Sequence, residues 1–228
     1  TNVSKVSAVG AGMRTHTGVA AQMFHILGEA GVGIGMITTS EIKISVLVAR
    51  DVAQDALVAI HAGFGLDKAI GDSPSVGHAA VNSAAASTAQ SDIEKVVVEN
   101  LASMEDIVVS EVQLDTDQAR LTINGLPDEA GVASNLFGAV AEGGIMVDMI
   151  VQNIGRDGLA SLSFTIPRTD VDQCLLLTRE VLEAWPEATL SHDREIAKLS
   201  VMGIGLRSHT GVGQQMFKAL AEAEINVE

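Results

Sequence analysis

The sequence predicts an α+β protein built from repeated units of ~70 residues, each an antiparallel sheet with two helices on one face in the split βαβ, ferredoxin-like βαββαβ order. Three observations predict it. The phrase "GMRTHTGVAAQMF" at 12–24 returns as "GLRSHTGVGQQMF" at 205–217, a constant offset of 193 residues that marks a duplicated structural unit. Within each copy an apolar alternation of period two gives way, through a glycine loop, to a helical period. A Ser- and Ala-rich stretch, Asp72 to Ser91, has too few large apolar side chains for a core and reads as a flexible linker.

The first copy opens with "KVSAVGAGM", a short strand closing on glycines. Val19, Ala20, Met23, Phe24 and Leu27 then recur at helical spacing, and Gly31 ends that helix. "IGMITT" and "EIKISVLV" read as two strands joined tightly at Thr39 and Ser40. "DVAQDALVAIHAGF" follows as a helix with Val52, Ala56, Ile60 and Phe64 on one face and Asp51 as its N-cap.

After the linker, "SDIEKVVVENLA" is read as a short helix and "DIVVSEVQLD" as a strand. The segment 119–153 then repeats strand, glycine loop, helix and strand with a diverged loop. Val132 matches Val19 and Val212, Leu136 and Phe137 match Met23 and Phe24, and "VDMIVQN" matches "IGMITTS". "SLSFTIP" and "VDQCLLLTREVLEAW" supply the next strand and helix. The third copy begins at "KLSVMG" and reaches Glu228 before its second strand is finished, a half-unit. The predicted organisation is a domain at 1–71, a linker at 72–103, a domain at 104–191 and the start of a further, incomplete domain at 192–228.

Composition narrows the function classes. Twenty-nine acidic against 14 basic side chains leave a formal charge of −15, which repels phosphate backbones and anionic lipid, so neither nucleic acid nor membrane is an expected partner. No apolar run is long enough to cross a bilayer, and no basic-then-apolar leader opens the sequence. Cys174 is the single cysteine, which rules out an intrachain disulfide and a cysteine metal cluster and fits a reducing cytoplasm. No Walker A sequence, zinc-ligand spacing or nucleophile elbow occurs, so no catalytic residue and no metal site is expected.

"KVSAVGAGMRTHTGVAAQMF" with "MITTSEIKISVLV" resembles the second ACT domain of bacterial aspartate kinases, where the loop usually reads His-Pro-Gly instead of His-Thr-Gly. "MEDIVVSEVQLDTDQARLTINGLPDEAGVA" with "VDMIVQN" resembles the first ACT domain of the same enzymes. The likeness covers nearly everything outside the linker, in the order second-type, first-type, second-type, which suits a parent with two tandem ACT pairs. It implies an allosteric region that binds lysine, threonine or both and controls a kinase that phosphorylates aspartate. ATP and Mg would belong to that kinase domain, whose Lys-Phe-Gly-Gly type sequence is absent here. A dimer pairing sheets edge to edge is expected, because a small sheet with open edges invites β-augmentation. A free-standing ACT-repeat sensor, or a dimerisation module without a kinase, is the alternative.

The glycine loops carry the sharpest chemistry. A chain entering a helix through Gly18, Gly131 or Gly211 presents backbone N–H groups at a positive dipole end, suited to a carboxylate, although glycine there also simply permits a turn. The resemblance favours a ligand role for Gly131 and implies that Asp128 meets the effector's ammonium and that Gln152 holds its polar end. Asp128, Gly131, Ala133 and Gln152 are thus one expected half of a site, and Asn226 and Val227 of the third copy the other. A second effector site in the first copy would use Gly18, Val19, Ser40 and Glu41, weakened because Gly33 stands where Asn226 stands. His16 and His209 have no partner at ligand spacing and read as loop-shaping residues, the methionines as core filling, and Cys174 as a buried small hydrophobe.

Overall fold

The structure, a computed structural model, describes residues 2–10, 18–40, 42–67, 109–155, 158–203 and 211–227. They fall into two compact units, one formed by Thr1–Gly71 with Thr116–Ala197, the other by Asp72–Asp115 with Lys198–Glu228. The expected linker, the helix at "SDIEKVVVENLA", Glu41, His16 and His209 lie outside the described residues.

The first unit begins with strand β1 (Val3–Val9), helix α1 (Val19–Glu29), strands β2 (Met36–Ser40) and β3 (Lys43–Ala49), and helix α2 (Ala53–Gly63). Strand β4 (Glu111–Pro127), helix α3 (Val132–Glu142), strands β5 (Ile150–Ile154) and β6 (Leu159–Pro167), helix α4 (Val171–Leu182) and strand β7 (Thr189–Met202) follow. The strand order is β1-β3-β2-β5-β6-β4-β7, with β1–β3, β2–β3, β4–β6, β5–β6 and β2–β5 paired antiparallel. This is the expected α+β architecture. From Glu111 onward, "EVQLD" and "ARLTINGLP" belong to one long strand of 17 residues instead of two, with a register shift at Gly125. β7 likewise runs through the expected boundary at 191/192 without a break.

Each first helix buries the face its spacing predicts. Met23, Phe24 and Leu27 of α1 and Leu136, Phe137 and Val140 of α3 are fully enclosed, and each such side chain contributes about 1.5–3 kcal/mol of transfer free energy. Phe24 and Phe137, equivalent positions 113 residues apart, meet with ring centroids 5.3 Å apart. Phe137 also makes an edge contact with Phe164 at 5.4 Å. Gly31 and Gly144, at φ 67° and 72°, close the two helices in the left-handed conformation glycine tolerates. Asp51 does not cap α2. The N-cap is Val52, whose N–H donates to the Asp51 carboxylate at 3.1 Å, a bond to the adjacent residue that leaves the helix's first turn uncapped. Of the methionines, Met23 is buried, whereas Met146 and Met149 lie 37% and 40% exposed, since both sit where the chain approaches β5.

The seam between the two domains of this unit is a β-bridge. β2 pairs with β5, Ile37 opposite Gln152 and Thr38 opposite Val151. Thr38 and Val151 are equivalent positions in the two repeats, so the pairing relates the domains by a pseudo-two-fold axis at that residue pair. The small sheets thereby remove each other's open edges.

In the second unit, Ser110 donates both its N–H, at 2.8 Å, and its hydroxyl, at 3.2 Å, to the Met202 carbonyl. Helix α5 (Gly211–Glu222) follows, with Phe217 54% exposed where the matching Phe24 and Phe137 are enclosed.

Candidate functional site

The pseudo-two-fold places one cleft on each side of the β2–β5 seam. The first is lined by the start of α1, Gly18 to Ala21, with Thr39 and Ser40, and by Ala141, Val147 and Asp148 of the neighbouring domain. The second is lined by Asp128 to Ser134 and Gln152, with Phe24 and Ile34 from the first domain. Each cleft thus joins the glycine loop of one repeat to the chain that leads into the second strand of the other.

The glycine loops are alike in detail. Gly18 and Gly131 are the N-caps of α1 and α3, at φ 95° and 94°, a conformation that L side chains avoid, and among the described residues neither helix receives a side-chain cap. The first helical bonds are Gln22 N–H to the Gly18 carbonyl at 2.8 Å and Asn135 N–H to the Gly131 carbonyl at 2.9 Å. The N–H groups just before them, including those of Ala20, Ala21, Ala133 and Ser134, therefore stand at the positive end of the helix dipole and face the clefts. With no side-chain cap among the described residues, these N–H groups suit a carboxylate.

The walls opposite are clasped across the domain boundary. In the second cleft the Gln152 side-chain amide donates to the Ile34 carbonyl at 2.8 Å, and Gln152 is only 7% exposed. At the equivalent position in the first cleft, the Thr39 hydroxyl donates to the Asp148 carbonyl at 3.3 Å and accepts the Ile150 N–H at 2.8 Å. Partial burial holds the Asp128 carboxyl above its ordinary value, because the loop shields it from water that would stabilise its charge. A carboxylate with lost solvation gains more from an incoming ammonium than a fully hydrated one does.

The structure brings together Asp128, Gly131, Ala133 and Gln152 around one cleft, and Gly18, Val19 and Ser40 around the other. Asn226 and Val227 lie exposed in the second unit. The residue set against Gln152 in the first unit is Ile34, which matches Val227 in the repeat. Sequence reasoning missed Ile34, Thr39 and Asp148. The signal was available in the alignment of the two repeats, where Thr39 matches Gln152, and Asp148 replaces Gly35. Among the described residues, no group of three or more His, Cys, Asp or Glu could hold a metal ion, and no helix is long and apolar enough to cross a membrane.

Comparison with known proteins agrees with this fold. The family model for the ACT domain matches residues 6–64 and 199–228. The chain is 44% identical over 126 residues to the aspartokinase of Helicobacter pylori, a match that takes in 54% of this chain and 30% of that protein. It is 38% identical over 126 residues to an aspartate kinase of Stutzerimonas stutzeri, covering 55% of this chain and 31% of the relative. The matches thus span about a third of the length of these relatives. Among solved structures, aspartate kinase from Synechocystis superimposes with a TM-score of 0.77 at 32% identity, over 100% of this chain and 35% of that one. The regulatory subunit of aspartate kinase from Thermus flavus gives a TM-score of 0.50 at 36% identity, over 53% of this chain and 80% of that one.

Proposed function

This chain belongs to the ACT-domain family in the form found in aspartate kinase regulatory regions, and from that membership we propose that it senses free amino acids and passes their concentration to a kinase domain. The observation that carries the reading is the pair of uncapped glycine loops, each facing a clasp supplied by the other domain. A zwitterion needs donors for its carboxylate and an acceptor for its ammonium. The loop at 128–134 supplies both, Ala133 and Ser134 through their N–H groups and Asp128 through its carboxylate.

The two clefts differ in chemistry. The first adds Asp148 of the neighbouring domain beside the start of α1, which suits a ligand with a second ammonium, such as lysine. The second is walled by Phe24 and Ile34, which suits a small neutral amino acid, such as threonine. Because each ligand would touch both domains, binding favours one arrangement of the pair, and a kinase joined to it responds to that difference in affinity. The reaction controlled is phosphorylation of the aspartate side-chain carboxylate. ATP and Mg belong to the kinase domain, and the residues of this chain supply neither a phosphate loop nor a catalytic group. A cytoplasmic homodimer joined through ACT sheets completes the proposal.

Calorimetric titration of the chain with L-lysine, L-threonine and L-methionine tests it. Binding of lysine or threonine is expected, with Asp128→Ala weakening the second cleft by about 1–3 kcal/mol at unchanged melting temperature, as a charge-assisted hydrogen bond is lost. Absence of binding at millimolar concentration would leave a dimerisation module and refute the sensor.

A further inference from the structure

Gly28 occupies the last turn of α1, where an alanine would favour the helix by about 0.5–1 kcal/mol over glycine. Its backbone is not in the left-handed region, so no conformational need explains it. Space does. A Cβ built at Gly28 would stand 3.3 Å from the Gly131 Cα, 3.5 Å from the Gly131 nitrogen and 3.6 Å from the Ser134 Cβ. The end of α1 therefore lies directly on the backbone of the neighbouring domain's glycine loop. The equivalent positions in the other two repeats carry Ala141 and Ala221. Glycine is found at this position only in the helix that rests on the Gly131 loop.

We propose that Gly28, which lines neither cleft, is a positioning residue for the Gly131 loop and so sets the affinity of the second cleft for an amino acid, an inference that rests on the function proposed above. The contact that a Cβ would make is tighter than side chains ordinarily accept, and it is made to backbone, which cannot swing aside as a long side chain can. Relief requires the loop or α1 to move by a few tenths of an ångström. Gly131 is the N-cap of α3, and the Ala133 and Ser134 N–H groups follow it on the first rigid turn. Any shift at Gly131 is thus carried to the donors that face the cleft, whose hydrogen bonds weaken as distance and angle depart from the optimum. Glycine at 28 gives up helix propensity in one domain to keep the donor array of the other in register.

Gly138 provides the control. It lies inside α3, and a Cβ there meets nothing within 4 Å, so Gly138→Ala adds helix propensity without touching the loop. The full chain and its Gly28→Ala, Gly28→Val and Gly138→Ala variants would be titrated with L-threonine and with L-lysine. The ligand-free amide resonances of Gly131, Ala133 and Ser134 would be compared by 1H–15N correlation spectra. The expected result is displaced loop amides and three- to tenfold weaker binding in the second cleft for Gly28→Ala, a larger loss for Gly28→Val, and neither effect for Gly138→Ala. A purely structural role would change melting and leave the affinity alone. Wild-type binding with unchanged affinity in Gly28→Ala, or with unmoved loop amides, would overturn the inference while leaving the proposed function intact. Failure of the wild type to bind either amino acid would sink the proposed function, and the affinity claim with it.

Discussion

The Gln152 side-chain amide donates to the Ile34 carbonyl at 2.8 Å, a side chain of one ACT repeat holding the backbone of the repeat before it. Its pseudo-symmetric counterpart is Thr39, which holds the Asp148 carbonyl in the opposite direction. The two bonds flank the single β2–β5 bridge and fix how far apart the domains stand at the clefts. In one cleft the clasp is a long amide, in the other a short hydroxyl. The wall that each presents to a ligand is therefore different although the backbone frame is shared.

Replacing Gln152 by Ala removes the donor and strands the carbonyl of Ile34, which is itself 9% exposed. A buried polar group left unpaired costs about 1–3 kcal/mol, so the unfolding free energy from denaturant titration should fall by that amount. Double replacement with Thr39→Val should cost more than the sum of the single changes, because either clasp alone still holds the seam. Strict additivity of the three free-energy changes would contradict that coupling.

Asp128 makes the chain's stability and its binding depend on pH in opposite senses. Its folded-state value is raised by burial, so the contribution it makes to stability is fully present below the unfolded-state value and is lost as pH rises through the folded one. Asp128→Asn should accordingly be more stable than the wild type at about pH 7 and lose that advantage in acid near the ordinary carboxylate range. Ligand binding should weaken as pH falls through the raised value, since a protonated carboxyl no longer accepts from an ammonium as a charge. Equal stability of the two proteins at every pH would contradict the burial.

Glu224 holds φ at 56°, the position that Gly31 and Gly144 occupy in the other repeats, and the same closing bond follows it, Ile225 N–H to the Leu220 carbonyl at 2.9 Å. A left-handed conformation costs a side-chain-bearing residue about 1–2 kcal/mol. Glu224→Gly should therefore stabilise the end of α5 by about 1 kcal/mol, less the extra freedom glycine has when unfolded. Hydrogen exchange of the Ile225 amide should slow, and faster exchange would contradict the argument.

Cys174 is enclosed in α4, and burial first, with the nearby Asp170 charge, pushes its thiol up to about 11, against a smaller lowering by the Thr178 hydroxyl. Little thiolate forms at neutral pH, and what forms is covered. An aromatic disulfide reagent should leave the native protein unmodified over hours and react at once in denaturant. Rapid labelling of the folded chain would show that α4 opens.

The repeat, the strand and helix faces and the glycine loops were legible because each is written in local order. Val19, Met23 and Leu27 are four residues apart whatever they later touch, and Gly18 and Gly131 announce a left-handed turn by lacking a Cβ. Asp128 and Gln152 were singled out through the family the sequence resembles, and both line the second cleft. The continuous strand from Glu111 to Pro127 was not legible, since the polar run "QLDTDQ" lacks the apolar alternation that marks a strand in sequence.

By itself, then, the sequence determined what each repeat is: its elements, its buried faces and the loop at which a carboxylate could sit. It did not determine which second-type repeat faces Gln152, because the first and third copies carry nearly the same phrase and offer Ile34 and Val227 as equals. In the first unit, tertiary structure set Ile34 there, through contacts the local pattern does not encode. Thr38 lies opposite Val151 across the seam, Phe24 packs on Phe137, and Gly28, unlike Ala221, lets α1 close onto Gly131. A period of 3.6 or 2 residues reports only on a residue's own element. The partner that meets Gln152 is set by contacts between residues far apart in the chain, and those contacts exist only once the chain is folded.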